Sequence, residues 1–155
     1  MKARMLPFLV ALLVAGAASV WLSPVAVAGP PTNVSITETI DFTTDPVTAT
    51  FTASAPLCPS GTFVDTVKAV GGANGRGPLS LVISSVYTCA DGSGTFTLLK
   101  QIHIEFTDDT STSTGTFVVM GGTGAYARLH GQGTDNGSIV NGQGIGNLAG
   151  KVHFD

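Results

Sequence analysis

The sequence predicts an all-β protein, an eight-stranded antiparallel up-and-down barrel, with a β-sandwich as the alternative. Three observations carry this. Apolar and polar residues alternate with a period of two through most of the chain after residue 28, where helical periodicity is hard to find. Clusters rich in Gly, Pro, Asp and Asn cut the alternating runs at short intervals. Threonine is abundant within the runs, where its β-branch suits a pleated surface and its hydroxyl suits a wet face. Consecutive short strands joined by short turns pair as antiparallel neighbours, and closing them into a barrel removes exposed edges.

The elements follow in order. Val34, Ile36, Glu38, Ile40 and Phe42 share one face of the first run, against Ser35, Thr37, Thr39 and Asp41. Val47, Ala49, Phe51 and Ala53 oppose Thr48, Thr50, Thr52 and Ser54 in the second. The runs "TFVDTVKAV" and "LSLVISSVYTC" are apolar on both faces in places, which predicts more buried strands. Phe96, Leu98, Lys100, Ile102, Ile104 and Phe106 then alternate with Thr95, Thr97, Leu99, Gln101, His103 and Glu105, and "TGTFVVM" continues the pattern more weakly. The stretches "TTDP", "PLCPSG", "GGANGRGP", "ADGSG", "TDDTSTS" and "TDNG" read as turns, with Asp91 and Asp108-Asp109 at hairpin tips.

The first 28 residues stand outside this pattern. Lys2 and Arg4 precede an apolar run from Leu6 to Leu22, and Ala26-Val27-Ala28 forms an A-x-A site. This reads as a secretory signal peptide cleaved after Ala28, leaving a single domain over residues 29–155. The apolar run approaches the length of a short membrane span. Small residues and a processing site follow it, however, and not a basic stop-transfer cluster, so no stable membrane anchor is expected after cleavage. Secretion is the expected localisation. The remaining chain carries five basic residues, Lys68, Arg76, Lys100, Arg128 and Lys151, against ten acidic ones. With no basic cluster, the counterion release that drives nucleic-acid binding is missing. Cys58 and Cys89 are the only cysteines, and in an exported chain they are expected to pair.

The stretch "GGTGAYARLHGQG", Gly121 to Gly133, poses a choice between a phosphate loop and a β corner. A phosphate loop needs a following helix whose N–H groups face the anion, and here Gly-rich sequence without a helical period follows. Gly121, Gly122 and Gly124 are therefore read as a tight structural turn with positive φ, and Gly131 and Gly133 as sites of coiling or bulging. The segment Phe117–Gly133, "F-V-V-M-G-G-T-G-A-Y-A-x-L-x-G-x-G", resembles the signature of allene oxide cyclase and dirigent-like barrels, and is most similar to secreted bacterial proteins of that barrel type. The resemblance implies an eight-stranded barrel, often oligomeric, with an apolar cavity. Arg128 departs from the pattern, in which Gly is frequent, and reads as a solvent-facing strand residue.

Candidate site residues are polar groups on apolar faces. Glu38 and Lys100 each interrupt one, so both are expected to point inward if those faces line one interior. There they either form a structural ion pair or orient the polar head of a ligand, with a hydrophobic acid or phenol as the candidate class. Allene oxide cyclases keep a glutamate within the barrel, which Glu38 matches by strand order alone. Tyr87 and Tyr126 are candidates to border the cavity and donate a hydroxyl, or else packing residues. His103, His130 and His153 share no metal-binding spacing, so neither a metal nor a cofactor is implied. Asn33 and Asn136 begin N-glycosylation sequons, relevant only to a eukaryotic secretory route. The expected function is a secreted non-catalytic barrel that binds a small apolar molecule or assembles as a homo-oligomer. The alternatives are an isomerase or cyclase acting on an unsaturated fatty-acid-like or phenolic substrate, and a surface structural or adhesion subunit.

Overall fold

A computed structural model describes residues 29–72, 78–107 and 110–155. The signal-peptide reading, Arg76 and the Asp108-Asp109 tip lie outside the described residues. Eight strands run in order: β1 (Thr32–Asp41), β2 (Thr48–Ala53), β3 (Ser60–Gly71), β4 (Leu79–Cys89), β5 (Gly94–Phe106), β6 (Thr110–Gly124), β7 (Leu129–Val140) and β8 (Gln143–Phe154). Each pairs antiparallel with the next, and β1 pairs with β8 from Thr32–Val152 to Asp41–Gln143, which closes the barrel. The predicted up-and-down topology is the one found. Period-two alternation dictates the inside. Val34, Ile36 and Glu38 are buried on β1, whereas Ser35, Thr37 and Thr39 face water. The outer face of β1 is therefore rich in hydroxyl residues and its inner face mostly apolar.

The two ends of the barrel differ. The end bearing the loops 54–59, 90–93 and 125–128 is filled with aromatic side chains. Tyr87 stacks on Phe96 with ring centroids 4.6 Å apart, and Phe51 meets both edge-on at 5.2 and 5.7 Å. Offset stacks and edge-to-face contacts suit the ring quadrupoles and add to the burial of the rings themselves. Leu98, Phe117, Leu129, Leu148 and Val152 complete this core. Glycines on β7 and β8 make room for it. A Cβ on Gly133 or Gly150 would stand 2.6 or 2.8 Å from the Phe117 ring, so the backbone there can carry no side chain. The disulfide Cys58–Cys89 ties the 54–59 loop to the end of β4, with Cα atoms 5.9 Å apart.

Several local expectations are corrected. The Gly121–Gly124 segment is the end of β6, not a tight turn, and the turn itself is Ala125–Arg128. Gly121 and Gly124 have positive φ, 93° and 58°, but Gly122 does not; its backbone lies against the Thr95 carbonyl, where a Cβ would clash. Arg128 is an exposed turn residue rather than a strand residue. The "TDNG" stretch runs through the middle of β7, and the hairpin turns at Asn141-Gly142 instead. Both of those residues have positive φ, 51° and 77°, as a two-residue hairpin turn of the primed type demands.

The strand β3 is the largest departure, for it is not buried on both faces. Among the described residues, β2 pairs with β3 only at Thr50–Thr62, Phe51–Gly61 and Thr52–Ser60. Beyond them β3 continues to Gly71 while β2 has already turned back toward β1. Val64 to Gly71 are consequently exposed, and they pair only with β4. A bulge between Val67 and Ala69, with Lys68 at the extra position, breaks the regularity of this edge.

Candidate functional site

The end of the barrel opposite the aromatic core is hollow. A cavity of about 280 Å³ opens there, with aliphatic walls from Ile40, Leu81, Ile83, Ile102, Ile104 and Ile139. Phe42 and Val67 stand at its partly exposed margin. Its size lies just under the usual range for small-molecule sites, roughly 300–1,000 Å³.

Alternation on four strands delivers four charged side chains to this space: Glu38 from β1, Asp65 from β3, Lys100 from β5 and Asp135 from β7. Glu38, Lys100 and Asp135 are 3–5% exposed. Lys100 Nζ donates to Glu38 Oε1 at 2.6 Å and lies 3.9 Å from Asp135 Oδ2. The Tyr87 hydroxyl donates to the same Glu38 oxygen from the core side. Lys100 Nζ also stands 5.5 Å from the Phe63 ring centroid. Gly146 faces Glu38 across β1 and β8, and a Cβ there would come within 2.8 Å of Oε2, so glycine leaves room for the carboxylate. Asp65 accepts a hydrogen bond from Ser85 Oγ at 2.5 Å.

Two of these groups have displaced proton affinities. Burial, then the charge and hydrogen bond of Glu38, hold the Tyr87 phenol well above its ordinary range, so it remains a donor. Burial pushes the Asp135 carboxyl up to about 6; Lys100 opposes this, and Glu38 and Asp65 add to it. A carboxyl poised there can hold a proton or ionise and pair with a cation, according to pH. Among the described residues, no donor hydrogen-bonds the Asp135 carboxyl.

Glu38 and Lys100 meet in the interior, on the shared face that the alternation implies. Tyr87 reaches the same cluster through its hydroxyl but lies in the core beneath the cavity. Tyr126 is at the other end, packed against Phe96 and Phe154. Asp135 and Asp65 are the members that sequence reasoning missed. On β7 the inward positions run Leu129, Gly131, Gly133, Asp135, Gly137 and Ile139, so the aspartate is flanked by glycines and the apolar residues that mark the face lie six and four positions away. Asp65 alternates with Phe63 and Val67, a signal that was present in the sequence. The histidines also come together in part: His130 and His153 are cross-strand neighbours, and His130 Nε2 lies 2.9 Å from Asp155 Oδ2 on the exposed wall.

Comparison with known proteins returns no matching family model, no matching curated protein and no matching solved structure.

Proposed function

We propose that this is a secreted, non-catalytic barrel that binds a small, largely apolar molecule in its hollow half. The observation that carries the reading is the cavity itself: an aliphatic cup whose floor holds a few convergent charged groups, the usual composition of a ligand site. An eight-stranded barrel encloses space for side chains or for one small ligand, and here the side chains fill only one end. The proposal keeps the chain with allene oxide cyclase and dirigent-like barrels, a placement supported by the strand order and by the inward glutamate. The Cys58–Cys89 bond accords with export to an oxidising compartment.

Methyl-resolved NMR with 1-octanol tests it. Saturable shifts at Ile83, Ile102 and Ile139 are expected, and they should vanish in Ile83→Trp, which fills the cup. Shifts confined to the outer wall, or none at all, would refute it.

Self-association is a second reading, favoured by one observation. Val64, Val86, Val118 and Met120 are exposed on the outer wall, with Val64 paired to Val86 and Val118 paired to the half-buried Leu99. This apolar stripe crosses β3 to β6 on an otherwise hydroxyl-rich surface.

A further inference from the structure

We propose that the cavity selects a cationic amphiphile, a primary alkylammonium of about ten non-hydrogen atoms, rather than an acid or a phenol. The inference rests on the ligand-binding reading above and names the head group that the floor would take.

The floor holds two buried carboxyls, Glu38 and Asp135, and one buried ammonium, Lys100, while a third carboxylate, the exposed Asp65, lines the open side. Lys100 is already engaged by Glu38 at 2.6 Å, so it is a poor anchor for an incoming anion. An acid would add a fourth carboxylate to three and would be repelled. Asp135 is the group without a satisfied partner: it is 5% exposed, opens into the cavity, lies 3.9 Å from Lys100, and accepts no hydrogen bond among the described residues. An ionised carboxyl buried in that way gains most from a cation that brings its own donors. An ammonium has three. Asp65 also lines the cavity, and the hydroxyls of Ser111, Ser113 and Ser138 lie farther along β6 and β7, toward the mouth. The aliphatic walls above would take the alkyl tail. At roughly 30 Å³ for each water-sized unit, a cavity of about 280 Å³ holds a ligand of about ten heavy atoms.

The groups that face Asp135 set the pH response. Charged neighbours come from β1 (Glu38), β3 (Asp65) and β5 (Lys100); β4 adds the Tyr87 phenol, held protonated, beside aliphatic positions, and β6 and β8 contribute hydroxyl, aliphatic and glycine positions. The Asp135 carboxyl titrates at about 6, so its negative charge is lost as pH falls through that value. An alkylammonium, like a lysine side chain, stays charged over the same range.

Calorimetric titration of the full-length mature protein with octylammonium, octanoate and 1-octanol is the test. At pH 7.5, octylammonium should bind about tenfold or more tightly than either of the others. Lowering the pH to 5 should weaken octylammonium binding and leave 1-octanol unchanged. Asp135→Asn should remove the advantage of the amine while 1-octanol still binds. Octanoate binding as tightly as the amine, or an amine affinity indifferent to both pH and Asp135→Asn, overturns the head-group assignment and leaves the cavity reading standing. Failure of all three compounds to bind overturns both.

Discussion

Burial that lifts the Asp135 carboxyl from 3.8 to about 6 makes the folded state hold that proton more tightly than the unfolded chain does. The group therefore favours the fold at low pH. That contribution, about 3 kcal/mol in all, is lost as pH rises from about 4 to about 6. Asp135→Asn should accordingly be more stable than wild type at pH 7.5, by an amount up to that figure, with the gain shrinking as pH falls toward 4. Urea denaturation at several pH values measures it, and an equal or lower stability at pH 7.5 would contradict the assignment. A stabilising change at this cavity-facing position is what the binding role proposed above predicts, since such a site need not be optimal for the fold. Lys100 has the opposite role. Lys100→Met would leave Glu38, Asp65 and Asp135 with no cation among them, and a loss of about 3–5 kcal/mol is expected. The loss should be smaller at pH 5, where Asp135 is largely protonated, and the same urea series reads it.

At the level of elements, the disulfide fastens the loop between β2 and β3 to the end of β4. It closes a loop with a sequence separation of 31 residues. Cys89→Ser should cost about 3–4 kcal/mol, seen as a lower melting temperature that a reducing agent reproduces in the wild-type protein. A melting temperature unaffected by reduction would refute a stabilising role. The strands were legible in the sequence because a side-chain period of two survives wherever one face is apolar, and β1, β2 and β5 show this plainly. Glu38 and Lys100 stood out for the same reason, as breaks in apolar faces. β7 was harder to read. The inward positions next to Asp135 are glycine, because Phe117 and the backbone of β8 occupy the space at Gly133, so between Leu129 and Ile139 nothing gave its inner face a hydrophobic label. Of the two Asn-Gly pairs near the β7–β8 hairpin, only local pairing decides which one turns: Asn136-Gly137 is held in ladders by β6 and β8, whereas Asn141-Gly142 lies between β7 and β8. The valines of β3 misled because two apolar faces mean deep burial only when both faces are covered, and β2 is too short to cover one flank.

For the molecule as a whole, the outer stripe of Val64, Val86, Val118 and Met120 makes one side of the barrel unlike the rest. If copies meet there, sedimentation velocity should show a concentration-dependent dimer or larger species, and Val118→Glu should return it to monomer with the barrel intact. A wild-type monomer at high concentration would exclude self-association through this wall. The short seam between β2 and β3 has a different consequence. The disulfide and three residue pairs stitch it at the aromatic end, while from Val64 to Gly71 no ladder joins the two strands. Along that length the wall can widen without breaking a hydrogen bond between β2 and β3, so the aperture is compliant where the floor is stiff. A guest would then be graded sharply by its head group, which meets fixed charges, and only loosely by its tail, which can trail through a gap that yields. If the hollow half takes an alkylammonium of the size proposed above, a change of head group should matter more than the addition or loss of one or two carbons from the tail.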